Sequence, residues 1–268
     1  MAPIKDIISY NASMIKAMED KLFFLNHLPE GNYTFVDFGC ADGTLLNVLA
    51  DTLNNDNNFY IGYDILEQMI LLALQNSTIK ANKVLFSDNW NNVQELLLST
   101  TNKKVLILSS VIHEVYTYAT GKWDLHEFWR KVLDSGFDYI VIRDMLPAFN
   151  IERETDAKTL SKIRNQTKLT KDKVDEFCAT WGPLTSNKNL IHFLLKYRWE
   201  INWEREVQEN YFPIYIDDLL KEFTIDYNLD YLERFRVPFL DKCIKEDFDI
   251  ELKDFTHCKL IFSRAFVL

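Results

Sequence analysis

Glycine is scarce in this chain, 7 of 268 residues, so two of them four positions apart carry information. The segment Phe35-Val36-Asp37-Phe38-Gly39-Cys40-Ala41-Asp42-Gly43-Thr44-Leu45-Leu46 leads a short apolar run into a turn and then into a helical pattern. Glycine permits positive φ and a close backbone approach to a ligand. The N-terminus of a following helix offers free N–H groups and the positive end of its dipole to an anionic group. Asp64 ends a second apolar run, 25 residues after Gly39, where an acid can accept both ribose hydroxyls of an adenosyl group. Asp88 ends a third run, beside Asn89, where its carboxylate can meet an adenine amino group. The spacing Gly-x-x-x-Gly differs from the Gly-x-Gly-x-x-Gly of a dinucleotide fingerprint. Asp37 and Asp42 crowd the turn, which disfavours a pyrophosphate and favours a cationic ligand such as an ammonium or a sulfonium.

Val36-Asp37-Phe38-Gly39-Cys40-Ala41-Asp42-Gly43 resembles the first motif of class I S-adenosylmethionine-dependent methyltransferases, whose usual form is Val-Asp-x-Gly-Cys-Gly-x-Gly. The departure is Ala41, where that family usually has Gly, a small-for-small exchange expected to be tolerated. The resemblance covers roughly residues 30–145 and 215–268. It implies S-adenosylmethionine as cofactor, with Asp37, Gly39, Cys40, Ala41, Gly43, Asp64, Asp88, Asn89 and Ser109 on the cofactor side. It implies Asp64 as the ribose acid and Asp88-Asn89 as the adenine-side pair. It also implies a seven-stranded sheet whose last strand is inserted antiparallel.

Methyl transfer is an in-line displacement at an already activated methyl, so the protein aligns the nucleophile and can take its proton. The loop after the fourth strand, Ser109-Ser110-Val111-Ile112-His113-Glu114-Val115-Tyr116, holds one of only five histidines. An imidazole ordinarily titrates near neutral pH, so His113 is the candidate base, with Glu114 as its partner or a substrate contact. The alternative is that His113 bonds the sheet edge and only shapes the pocket. Tyr116, Arg143 and Asp144 are candidate acceptor contacts. Arg143 and Asp144 follow the fifth strand and either orient the acceptor or pair with each other. Neither an Asn-Pro-Pro-Tyr or Asp-Pro-Pro-Tyr motif nor a Pro-Cys pair is present, which disfavours methylation of DNA bases.

These residues need elements to position them. Thr34–Phe38, Phe59–Tyr63, Val84–Phe86, Lys104–Leu108 and Tyr139–Ile142 read as strands. Helical patterns separate them at Thr44–Leu53, Leu66–Leu74, Val93–Leu98 and Leu125–Leu133. Units of this kind give βαβ crossovers and a doubly wound, mostly parallel sheet. Two late strands, Thr224–Tyr231 and His257–Phe266, suggest an antiparallel pair with the first near a sheet edge. The domain reading is a helical lid over 1–30, a Rossmann-like α/β domain over 31–145 and 215–268, and a helical insertion cap over 146–214. Tyr10 and Asn11 are candidate lid residues.

Composition bounds the partners. The chain carries 30 Lys and Arg against 40 Asp and Glu, net −10, which argues against a generic nucleic-acid binder. Residues 150–205 reverse the sign, with 11 bases against 8 acids. Tyr197-Arg198-Trp199 and Trp203-Glu204-Arg205 could stack a planar ligand or bind an anionic one, so Arg198, Trp199 and Trp203 are further acceptor candidates. A small-molecule or nucleotide-sized acceptor, methylated on O or N, is expected under the cap. RNA is disfavoured, and neither duplex DNA nor a membrane is expected. Rival readings are an RNA or protein methyltransferase docking on the cap, and a non-catalytic scaffold of the same fold. Four scattered cysteines lack metal-ligand spacing, so no metal and a reducing cytoplasm are expected.

Overall fold

The computed structural model describes residues 18–164, 171–223 and 226–265, so the lid candidates Tyr10 and Asn11 lie outside the described residues. Seven strands form one sheet: β1 Tyr33–Phe38, β2 Phe59–Tyr63, β3 Val84–Ser87, β4 Lys103–Ser109, β5 Tyr139–Asp144, β6 Tyr227–Phe235 and β7 His257–Arg264. Their order is β3-β2-β1-β4-β5-β7-β6. Strands β1 to β5 pair in parallel, and β7 runs antiparallel to both neighbours. The doubly wound, mostly parallel sheet with an antiparallel last strand is therefore the observed architecture.

The apolar run of β4 has no polar face because both of its faces are covered. Leu106 and Leu108 pack in one layer with Val36, Ile61, Ile140 and Ile142. Val105 and Ile107 pack in the other with Phe35, Tyr60 and Val141. Helices α2 Thr44–Leu53, α3 Glu67–Asn76, α4 Trp90–Ser99 and α6 Lys122–Asp134 fill the crossovers, with a short α1 over Met18–Lys21 before them and α5 over Ile112–Tyr118 between α4 and α6. The expected loop after β4 is thus mostly helix: residues 112–116 open α5. Strand order reverses between β1 and β4, which opens a crevice at the carboxyl ends of those strands.

The insertion holds α7 Ala157–Arg164, α8 Lys171–Trp181, α9 Asn187–Lys196 and α10 Trp203–Glu206. Its core joins Phe177, Leu190, Phe193 and Trp203 to Ile244, Phe248 and Ile250. The last three come from the segment between β6 and β7, where the sequence reading has no helix. After the short α11 Ile216–Leu219, the helix α12 Pro238–Phe248 lies there. Pro238 starts it, at a position where the missing N–H costs nothing, and Asp249 at φ +53° ends it. Strand β6 falls a few residues later than expected and occupies the sheet edge, with an alternating, mostly exposed pattern. No helix among the described residues is long and apolar enough to cross a membrane.

Candidate functional site

The glycine turn leaves β1 at the crevice. Gly39 and Gly43 have φ of +78° and +76°, and Ala41 between them has +46°. At Gly39 a Cβ would lie 2.8 Å from Val111 Cγ2, so the turn admits no side chain there. Ala41 in the left-handed region costs roughly 1–2 kcal/mol for an L-residue. The small-for-small exchange is accommodated at that strain. Asp64 holds the turn in place: its Oδ2 accepts from the Ala41 N–H at 3.0 Å and its Oδ1 from the Leu66 N–H at 3.0 Å. The amides of Gly39 and Cys40 both donate to the Tyr63 carbonyl.

Beside this turn lies a cavity of about 410 Å³. Its walls include Gly39, Ala41 and Asp64 from the turn and β2, Val111 and Glu114 after β4, and Arg205 from the cap. Burial pushes the Asp64 carboxyl upward, against its two backbone donors and the nearby Arg205. The Ser109 Oγ, at the end of β4, is a buried hydroxyl with no hydrogen-bond partner among the described residues.

Behind Glu114 stands a buried charge network. His113 Nδ1 lies 2.7 Å from Asp144 Oδ1, and the Ile112 N–H donates to Asp144 Oδ2 at 2.7 Å. The Met145 N–H donates to Oδ1 at 2.7 Å. Burial opposes a charge on the His113 ring, but Asp144 overcomes it and raises the ring to about 9. The same partners hold Asp144 below the usual carboxylate range despite its burial. Arg205 donates to Glu209 Oε1 at 2.6 Å and to Glu114 Oε1 at 3.0 Å. Burial, reinforced by Glu209, raises Glu114 to about 7 against the pull of His113 and Arg205. The His113 ring packs edge-on against Tyr211 and is not part of the cavity wall.

The other expected residues divide. Asp37 is buried on the face of the sheet opposite Val36 and is raised to about 7 by desolvation, with the Lys21 ammonium pulling it down. The buried Lys21 is lowered to about 8, by burial and then Arg143, against Asp37, Asp42 and Asp20. The sequence reading missed Lys21, which sits in an amphipathic leader with no recognisable motif. The Cys40 side chain packs in the second core layer, near Gly62. Asp88 and Asn89 are exposed outside the cavity wall, and the Asn89 side chain caps α4 by accepting from the Asn91 N–H.

Tyr116 accepts from the Trp129 indole and faces the core, while Tyr118 lines the cavity. Arg143 and Asp144 do not pair with each other. Arg143 donates to Asp20 at 2.6 Å and to Ser110 Oγ, and Asp144 serves His113. In the cap, Arg198 pairs with Asp247 at 2.6 Å, and the Trp203 indole is buried and donates to Glu176 at 2.6 Å. Trp199 is half-buried, and none of these three lines the cavity. Arg205 is the cap base that does. Glu209, also missed, lies beyond the aromatic–basic clusters, and its approach to Glu114 arises only from the fold.

No protein-family model and no curated protein matches the chain. Solved structures with similar folds include the plantazolicin methyltransferase BpumL in complex with SAH, at 11% identity and TM-score 0.48, over 97% of this chain and 89% of that one. The plantazolicin methyltransferase BamL, with a triazolic desmethylPZN analog and SAH, aligns at 10% identity and TM-score 0.46, over 96% and 87%. LepI in complex with SAM aligns at 13% identity and TM-score 0.41, over 92% of this chain and 46% of that one. The likeness is one of fold.

Proposed function

We propose that this chain is an S-adenosylmethionine-dependent methyltransferase acting on O or N of a small-molecule or nucleotide-sized acceptor. The observation that carries the reading is the left-handed Gly39–Gly43 turn, tied to the Asp64 carboxylate and opening on a cavity at the strand-order reversal. The residues present fit the cofactor. Gly39 leaves backbone bare at the cavity wall, and Asp64 offers an acid there at the end of β2. When bound, S-adenosylmethionine supplies a methyl group on a sulfonium, activated without further help.

The chain's own task is then alignment. Glu114 is the carboxylate of the post-β4 segment in the cavity wall, and it accepts the hydrogen bond that orients the acceptor's O–H or N–H. His113, fixed by Asp144, is a positioning residue behind it rather than a group in the wall. The pairing of Arg198 with Asp247 and the burial of Trp203 favour an acceptor inside the cavity over an RNA or protein docked on the cap.

Calorimetry with S-adenosylmethionine and its demethylated product tests the reading. Binding of both is expected, weakened at least tenfold by Asp64→Asn, which keeps one oxygen for the turn. Absence of heat up to millimolar ligand rejects it. Binding without turnover of any acceptor in an extract supports the scaffold alternative instead.

A further inference from the structure

His113, Glu114 and Glu209 form a constellation that the alignment role does not explain. One ring nitrogen of His113 and one carboxylate oxygen from each glutamate lie within 4.8 Å of one another. The His113 Nδ1 is engaged by Asp144, which leaves Nε2 for a ligand, and among the described residues no protein hydrogen bond to it is found. The residue as a whole is only 5% exposed. Arg205 takes Oε1 of both glutamates, and Tyr118 also donates to Oε1 of Glu209. Among the described residues no protein hydrogen bond to the second oxygen of either carboxylate is found.

We infer that these three side chains form a site for a divalent transition-metal ion such as Mn²⁺ or Zn²⁺. One imidazole nitrogen with two carboxylate oxygens is a donor set that such ions accept, at about 2.0–2.2 Å per ligand. Asp144 supplies the outer-shell carboxylate that orients a ligating histidine and raises its basicity. The carboxylates of Asp144, Glu114, Glu206 and Glu209 gather in one region with Arg205, Lys196 and the His113 ring, and Glu114 alone among these seven is not buried. Drawing the three donors onto one ion needs a shift of Glu114, the partly exposed member. The sequence expectation of no metal rested on cysteine and histidine spacing, which cannot register a ligand 95 residues beyond Glu114. Glu114 also lines the cavity, and an ion held by it would supply Lewis-acid activation to an acceptor oxygen there; that last step alone rests on the methyl-transfer reading.

The test uses the full chain stripped with EDTA and titrated with Mn²⁺ without S-adenosylmethionine, free Mn²⁺ being read by its electron paramagnetic resonance signal. One ion per chain is expected, displaced by Zn²⁺. Glu114→Gln and Glu209→Gln should each weaken uptake at least tenfold, whereas Glu200→Gln, an exposed cap acid, should leave it unchanged. Should Glu209→Gln fail to fold by circular dichroism, Glu114→Gln decides alone. No uptake by the unmodified chain up to millimolar Mn²⁺, or uptake indifferent to Glu114→Gln, overturns the site. The readout is independent of cofactor binding, so either idea can fail without the other.

Discussion

Gly39→Ala is the perturbation that probes the turn most directly. An L-residue at φ +78° costs roughly 1–2 kcal/mol. The new Cβ would sit 2.8 Å from Val111 Cγ2 and 3.4 Å from Val111 Cβ, against an ordinary carbon–carbon contact of about 3.5–4.0 Å. Val111 must therefore retreat, and overpacking of this kind costs about 1–3 kcal/mol. The alanine regains roughly 0.4–1 kcal/mol by restricting the unfolded chain. The expected net loss is about 2–4 kcal/mol by urea denaturation. Part of that loss belongs to a pair. Val111→Ala deletes the methyl that clashes, so the double variant should be more stable than the sum of the singles by about 1–2 kcal/mol. Val111 also lines the cavity, so Gly39→Ala should weaken binding of S-adenosylmethionine, and Val111→Ala should restore part of it. Additivity of the two substitutions within about 0.5 kcal/mol would refute the steric argument.

Three further outcomes follow from the same geometry. Lys196→Met should cost about 2–4 kcal/mol in urea unfolding, because the buried amine donates to the Glu206 and Glu209 carbonyls at 2.6 Å each and both of these hydrogen bonds would be lost; a loss below about 1 kcal/mol contradicts this. Asp144→Asn should cost about 3 kcal/mol, since the carboxylate accepts from Ile112, Met145 and the His113 ring in a fully buried place, and a crystal structure of the variant should show the ring of His113 turned; a neutral effect on stability rejects the network. His257 is lowered to about 3 by burial and by Arg143, so between about pH 6.5 and 3 the unfolded chain binds a proton that the folded chain refuses, and stability falls with pH by up to about 1.4 kcal/mol per unit. His257→Gln should flatten the pH dependence of unfolding by about one proton over that window, and an unchanged slope rejects the assignment.

How far the sequence reaches is decided by the range of the interaction that places each residue. The strands and crossover helices were legible because β1, β2, β4 and β5 are short apolar runs and their helices carry an apolar stripe, both local signals. The turn was legible because Gly39 and Gly43 must adopt a backbone that few residues share, and that need is written in the residue type. The helix α12 was not, although Leu240, Cys243, Ile244 and Phe248 recur at helical spacing: it is short, and its stability comes from packing into the cap core, a tertiary effect. The candidate chemistry divides along the same line. Residue types pointed to His113 and Glu114 together, but α5 sends their side chains to different places, Glu114 to the cavity and His113 to Asp144. Adjacent residues on a helix point about 100° apart, so a helical reading of 112–118 separates the carboxylate in the cavity wall from the ring behind it, while Glu209 still comes close to both. By the same reasoning Arg143 and Asp144, neighbours on a strand, had to diverge to opposite faces: one reaches Asp20 and the other His113. The period of the element, once known, therefore assigns a side to every charged residue at the crevice, and what remains for the fold to supply is the distant partner, Glu209 for Glu114 and Lys21 for Asp37.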